Sequence, residues 1–327
     1  MKLKKSVYDV TGIGSALLDF MVEVDDAFIS SLGLKKGEMQ LVDAERSREI
    51  FNLLKNMKIH VAPGGSCANT IAGMAMMGGK GSFIGRVASD DYGKTYVDKT
   101  IEAGVTSFIS KGTGMTGHAI TFITPDSERT FATHLGAAIE LSAGEIDYSV
   151  IENSSILHLE GYLFEPENLR DVCYRSMKKA KESGTLISVD LADPALVGRI
   201  KDIFADVAEK YANIIFVNEE EAAAFTGTRE HEALKVLSGF SEIAIVKLGA
   251  KGSMIKSGNE IVKIEVVETN VINTNGAGDM YAAGFLYGLS SGRSIEVSGK
   301  IASYAASLAV ASAGARVESK INLKGII

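Results

Sequence analysis

From Ser154 to Gly249 the chain alternates short β-branched runs with helix-patterned stretches, and no other feature limits the fold as strongly. SSILHLEG, TLISVDL, ANIIFVN and EIAIVKLG read as buried strands, and Glu167–Ser183 and EEEAAAFTG read as helices between them. KGSMIKS is the strand after a turn, and two helices, about Ala277–Ser290 and Ser294–Ala313, follow. Such alternation predicts a mostly parallel sheet with helices on both faces. The first half repeats it less regularly. VYDVTGIG and GSFIGRV are strands; Ala44–Asn56 behind Asp43, Cys67–Gly78 and Asp91–Gly104 are helices. Two pieces break the rhythm. Phe20–Val42 shows no helical pattern, and HAITFIT and RTFATHL around PDSE read as a hairpin. Together they predict a small antiparallel lid over the carboxyl ends of the main sheet. The lid is built from inserts at about 20–42 and 116–135 within a single domain spanning 1–327.

Composition narrows the function. With 46% hydrophobic residues in 327, the chain can bury a large core. Its formal net charge of -7 argues against broad nucleic-acid binding. Cys67 and Cys173 form no CxxC pair, so a thiolate metal site and a disulfide framework are not expected. No signal-peptide core and no membrane-length apolar run occur, and a soluble cytoplasmic protein is the expectation.

Four short segments carry the chemical reading, each against a plainer one. In NTNGAGD, Gly276, Ala277 and Gly278 bring bare backbone to a helix start, where amides and dipole favour an anion. Asp279 behind them could take the proton of an attacking hydroxyl, held ionised by the helix end; otherwise it caps the helix. In APGGSCANT, Gly64, Gly65, Ser66 and Asn69 could bind sugar hydroxyls, or form a loop and cap. In FVNEEEAAAFTG, Asn218 and Glu221 share a face and could hold Mg²⁺ through water, or complement the helix dipole. In IVKLGAKGS, Lys247, Gly249 and Gly252 make a tight turn that a nucleotide phosphate could approach, or a plain hairpin. There is no P-loop and no HExxH. GIGSALLD has Leu17 at the third glycine position of a dinucleotide fingerprint, which weakens an NAD(P)-dependent oxidoreductase reading.

Taken in order, GGSCANT, NEEE, VKLGAKGS and NTNGAGD resemble the PfkB (ribokinase-like) family of small-molecule kinases over almost the whole chain. The resemblance implies a three-layer ribokinase-like α/β fold with a small β lid, and MgATP-dependent phosphorylation of a hydroxymethyl group. It also implies site roles. Asp279 is the base, and Gly276, Ala277 and Gly278 are the anion hole. Asn218 and Glu221 are the N-x-x-E pair linked to Mg²⁺, and Lys247, Gly249 and Gly252 line the ATP site. Asp19, Gly64, Gly65 and Asn69 hold substrate hydroxyls, and Arg129 approaches the transferred phosphate. Asn273 replaces the Asp that usually opens the D-T-x-G-A-G-D motif, which removes a charge near the phosphates and bears on any monovalent cation there. NTNGAGD, YAAS, LGAAIELS and LEGYLF look most like the adenosine-kinase-like branch, with Met39, Gln40 and Phe131 as lid residues for a nucleobase or simply lid core. The expected partners are a small-molecule nucleoside or sugar acceptor and ATP, with no nucleic acid or membrane, in a monomer or homodimer. The alternatives are a ribokinase- or fructokinase-like sugar kinase, an oxidoreductase, and a non-catalytic ligand-binding protein.

Overall fold

Side chains alternate between the two faces of a strand, and here each face feeds its own apolar cluster. Along one central strand, Ile214 and Phe216 enter the first cluster, and Ile215 and Val217 the second. A sheet buried on both faces in this way needs parallel strands returned by helices. The computed structural model describes residues 3–312, 314, 316–317 and 319–326. Its strands are β1 (Tyr8–Ile13), β2 (Leu17–Glu23), β3 (Met39–Leu41), β4 (Ile59–Gly64), β5 (Gly81–Ala88), β6 (Thr106–Gly112), β7 (His118–Ile123), β8 (Arg129–His134), β9 (Ser154–Glu160), β10 (Leu186–Asp190), β11 (Ile214–Asn218), β12 (Ile243–Lys247), β13 (Ser253–Ser257) and β14 (Glu260–Ile264). The main sheet runs β14-β13-β12-β11-β10-β9-β1-β5-β6. Its pairings are parallel from β6 to β12, and β13 and β14 add an antiparallel edge.

Local chemistry sets the helix ends. Asp43 accepts from Arg46 N and Asp90 from Gly93 N, so Ala44–Leu53 and Asp91–Glu102 begin where those carboxylates meet free amides. Glu167–Ser183 buries Leu169, Val172, Cys173 and Met177, and stops at Gly184 in the left-handed region. The helix Ala277–Ser290 lies between Ser66–Met76 and Ile295–Val310. The expected end of that last helix at Ala313 falls outside the described residues.

The lid is a five-stranded sheet ordered β3-β8-β7-β2-β4. Its hairpin β7–β8 and the pair β2–β4 are antiparallel, while β2–β7 and β3–β8 are parallel. The parallel pairs arise because strands from separate inserts meet side by side. β4 belongs to the lid although the inserts read from sequence omit it. A short helix, Asp26–Ser31, capped by Asp25, occupies the stretch expected to have none. The other unread strands and α-helices are β6, β14 and the helices Tyr148–Glu152, Pro194–Arg199, Lys201–Lys210 and Glu230–Leu237. The chain enters the lid at Gly14–Ala16 and returns at Gly65. These two crossings touch: a Cβ on Gly65, whose φ is +92°, would lie 2.1 Å from the Ser15 carbonyl oxygen. The hairpin's two crossings touch likewise, since a Cβ on Gly136 would lie 2.3 Å from Met115 O.

Gly284 sets how closely the Asp279 helix packs on its neighbour, because a Cβ there would sit 2.7 Å from Ala302 Cα. Gly284→Leu should therefore lower unfolding free energy by about 1–3 kcal/mol or more, read by urea denaturation. Wild-type stability in that variant would show that the two helices are not held at this contact.

Candidate active site

Parallel strands deliver their carboxyl ends to one edge, where open α/β sheets place ligands. Four polar residues end adjacent strands there: Glu160 on β9, Asp190 on β10, Asn218 on β11 and Lys247 on β12. Two helix N-termini arrive at the same edge. The helix Ser66–Met76 begins at Gly65 and lacks a side-chain cap from it. The buried Glu160 supplies that role instead, accepting from Cys67 N and Ser15 N, both at 2.8 Å. Burial raises the Glu160 pKa and the two amide donors oppose the rise.

The helix Ala277–Ser290 begins at Gly276, which needs a glycine because its φ is +76°. No side chain caps this end, so Asp279 is not a cap. Its carboxylate turns to the neighbouring helix instead. Ser66 Oγ donates to Oδ1 at 2.6 Å, and Asn69 Nδ2 donates to Oδ2 at 2.8 Å. Thr70 Oγ1 donates to the Asp279 carbonyl at 3.1 Å. On sequence alone the helix end holds Asp279 ionised; the groups that favour its charged form here are the Ser66 and Asn69 donors. Burial pushes its pKa up, and the Ser66 and Asn69 donors hold the rise in check. A raised carboxylate is the better proton acceptor.

Lys247 completes the turn electrostatically. Its Nζ donates to Asp190 Oδ2 at 2.8 Å, and a Cβ on Gly278 would lie 3.2 Å from that nitrogen. Burial alone would lower the Lys247 pKa; Asp190 and Glu221 reverse this and leave it above the ordinary value. An ammonium beside uncapped helix amides fits an anion such as a phosphate.

The remaining expected residues divide. Asp19, on β2, accepts from Thr121 Oγ1, and its Cβ would be 3.8 Å from a Cβ on Gly64. Burial raises its pKa, against the pull of Thr121, Arg129 and His60. Asp19, Gly64, Arg129, Asn69 and Asp279 thus lie along one chain of contacts and fields from the lid to the glycine turn, with Arg316 bridging Gly64 O to Asn69 Oδ1. Gln40 sits apart on the edge strand β3, opposite Ala132. Asn218 and Glu221 form a reciprocal cap, with Asn218 Oδ1 accepting from Glu221 N at 2.8 Å and Glu221 accepting from Asn218 N and Nδ2. Gly249 and Gly252 shape the β12–β13 hairpin turn, where Leu248 N donates to Gly252 O at 2.8 Å. Asn273 Oδ1 accepts from Asn275 N at 2.9 Å, which sets the bend into the glycine turn. Among the described residues no group of three or more His, Cys, Asp or Glu is arranged to hold a metal ion. None of these groups lines the cavity of about 470 Å³ bounded by Leu41, Arg48, His134 and Ile139.

Sequence reasoning missed Glu160, Asp190 and Arg316. The first two carried a signal: an acid closing an otherwise apolar strand, in LHLEG and ISVDL. Arg316, whose Nε donates to Asn69 Oδ1 at 2.5 Å, carried none. The oxidoreductase reading of GIGSALLD fails on topology. A dinucleotide fingerprint needs a helix after the turn, and here β1 passes straight into the lid strand β2.

The pfkB family carbohydrate kinase profile matches residues 26–322. The probable sugar kinase from Rhizobium etli superposes with a TM-score of 0.89 at 31% identity, over 96% of each chain. The adenosine kinase from Sinorhizobium meliloti gives 0.87 at 33%, over 96% of this chain and 97% of that one. The adenosine kinase of Saccharomyces cerevisiae is 26% identical over 325 residues, covering 92% of this chain and 94% of that one. No helix among the described residues is long and apolar enough to cross a membrane.

Glu221 yields a pH prediction. Burial raises its pKa to about 7, with Lys247 pulling down and Asp190 pushing up. Between its unfolded value of about 4.5 and about 7 the folded state binds more protons than the unfolded one, so stability falls as pH rises through that window. Glu221→Gln should lose less stability than wild type between pH 5 and pH 8 in urea titrations. Parallel curves for the two proteins would contradict this.

Proposed function

The chain belongs to the pfkB family of carbohydrate kinases, and on that premise we propose that it is an ATP-dependent nucleoside kinase that phosphorylates a primary hydroxyl of an adenosine-like acceptor. The family's members are phosphotransferases with an alcohol acceptor. The observation that carries the mechanism is the orientation of Asp279: held by Ser66 and Asn69, it stands behind an uncapped turn beside Lys247.

In this mechanism the acceptor lies between Asp19 and the Gly64–Gly65 loop, under the lid. Asp279 takes the proton of its hydroxyl as that oxygen attacks the γ-phosphorus, and the bond to the ADP oxygen breaks. The amides at 276–279 and the Lys247 ammonium stabilise charge on the equatorial oxygens. Arg129 reaches toward the same charge from the lid, and one face of the β3–β8 edge, either Gln40 or the Met39–Phe131 pair on the opposite face, would border the nucleobase. Gly249 and Gly252 border the nucleotide. Mg²⁺ would neutralise phosphate charge, held by the phosphates and water, with Asn218 and Glu221 acting on that water rather than as direct ligands. Asn273 tunes the turn as a hydrogen-bonding amide.

The nucleoside acceptor is supported by end-to-end likeness to two adenosine kinases, the lid included. A sugar acceptor is the second reading, favoured by the equally complete likeness to the Rhizobium etli protein. ADP release measured with adenosine, other nucleosides, ribose and fructose decides between them. Adenosine should give the highest kcat/KM. Turnover of a sugar without adenosine would overturn the acceptor assignment alone. Asp279→Ala should lower kcat roughly a hundredfold to ten-thousandfold while ATP still binds; near-normal kcat would overturn the base assignment.

A further inference from the structure

After the helix Ile295–Val310 the chain returns toward the boundary of lid and main sheet, where Arg316 is buried at 9% exposure. A buried guanidinium is costly unless it is fully engaged. Among the described residues no ion pair includes Arg316. Its hydrogen bonds go to neutral oxygens: Nε to Asn69 Oδ1 at 2.5 Å and Nη2 to Gly64 O at 3.2 Å. Tyr96 Oη donates to the same Gly64 carbonyl at 3.0 Å. A cation that makes no described salt bridge but holds an amide and a loop is placed to orient them.

We propose that Arg316 is a positioning residue that fixes the Asn69 amide, and through it the Asp279 carboxylate, for proton transfer. This rests on reading Asp279 as the base. An Asn amide has a donor end and an acceptor end that exchange on a half-turn. Here each end has one permitted neighbour. Guanidinium only donates and carboxylate only accepts, so Oδ1 must face Arg316 and Nδ2 must face Asp279. Removing the cation frees the amide to turn its oxygen toward the carboxylate. Asp279 then keeps Ser66 as a side-chain donor and loses Asn69. The same guanidinium grips Gly64, so the acceptor loop and the base are registered by one side chain.

The sign of the effect follows. A donor to the charged form favours ionisation, so losing it makes Asp279 harder to deprotonate. The titratable groups facing Asp279 are Lys247, Asp190, Glu160, Cys67, Tyr162 and Arg316. All but Arg316 remain in the variants below.

The test is the pH dependence of kcat from pH 5 to 9 for the full chain, with melting temperature recorded alongside. Arg316→Met should lower kcat and move the acidic limb to higher pH by roughly half a unit to one unit, the equivalent of one hydrogen bond. Combined with Asn69→Ala it should add less displacement than it causes alone, because the relay is already cut and only the direct field of the guanidinium on Asp279 is left to lose. Arg316→Lys should move the limb the same way by less, since an ammonium lacks the planar fork that serves two acceptors. It carries the test if the Met variant does not fold. A lowered melting temperature with an unmoved limb in either variant overturns the proposal and leaves Arg316 a packing residue. Asp279→Ala separates the two readings. If it abolishes turnover while the Arg316 limb stays put, only the relay falls. If it retains turnover, the base assignment and the relay fall together.

Discussion

An ionised carboxylate can be carried into a protein only if donors travel with it. Asp279 meets that condition across 210 residues of chain, since its donors sit at the start of the helix Ser66–Met76. The architecture around it serves this meeting. Gly284 lets the Asp279 helix lie close against the one that follows, and Glu160 secures the amide end of the helix that brings Ser66 and Asn69. The wider neighbourhood holds the carboxylates Glu160, Asp190, Glu221 and Asp279 near one ammonium, Lys247. Burial first, and repulsion from neighbouring carboxylates second, keeps Glu160, Glu221 and Asp279 easier to protonate than usual.

The sheet explains why these groups converge. Each parallel strand ends at the same edge, so a polar residue closing an apolar strand lands at the site whatever its place in sequence. Glu160, Asp190, Asn218 and Lys247 arrive by that rule from four consecutive strands of the main sheet. The lid draws Asp19 from the strand directly after β1, so the lid and the carboxyl edge of the main sheet share a backbone link of three residues.

Much of this was legible because period and chemistry agree. Buried strands and the helices Glu167–Ser183 and Ala277–Ser290 follow from apolar runs, caps and stop residues, all local. The glycine turn and Asp279 stood out because small residues before a helix have few other uses. What escaped was non-local or short. β14 lacks a strong apolar run, and Asp26–Ser31 spans six residues, too few for a period to show. The parallel pairings of the lid depend on strands from different inserts meeting in space. Glu160 and Arg316 act on helices far away in sequence, so nothing in their own segments announces the partner. Asn218 and Glu221 were found as a pair, but their mutual cap emerges only once the helix start is drawn.

The contact of Gly65 with Ser15, and of Gly136 with Met115, means that lid and main body are joined by backbone crowded against backbone. At the first neck Glu160 adds a tie from the main sheet, accepting from both Ser15 N and Cys67 N. With the joints fixed in this way, side chains on the lid strands away from the necks can change without moving the crossings. A scaffold jointed in this manner can be refitted for a different guest while its chemistry stays untouched, which makes one fold a natural host for bases and for sugars alike.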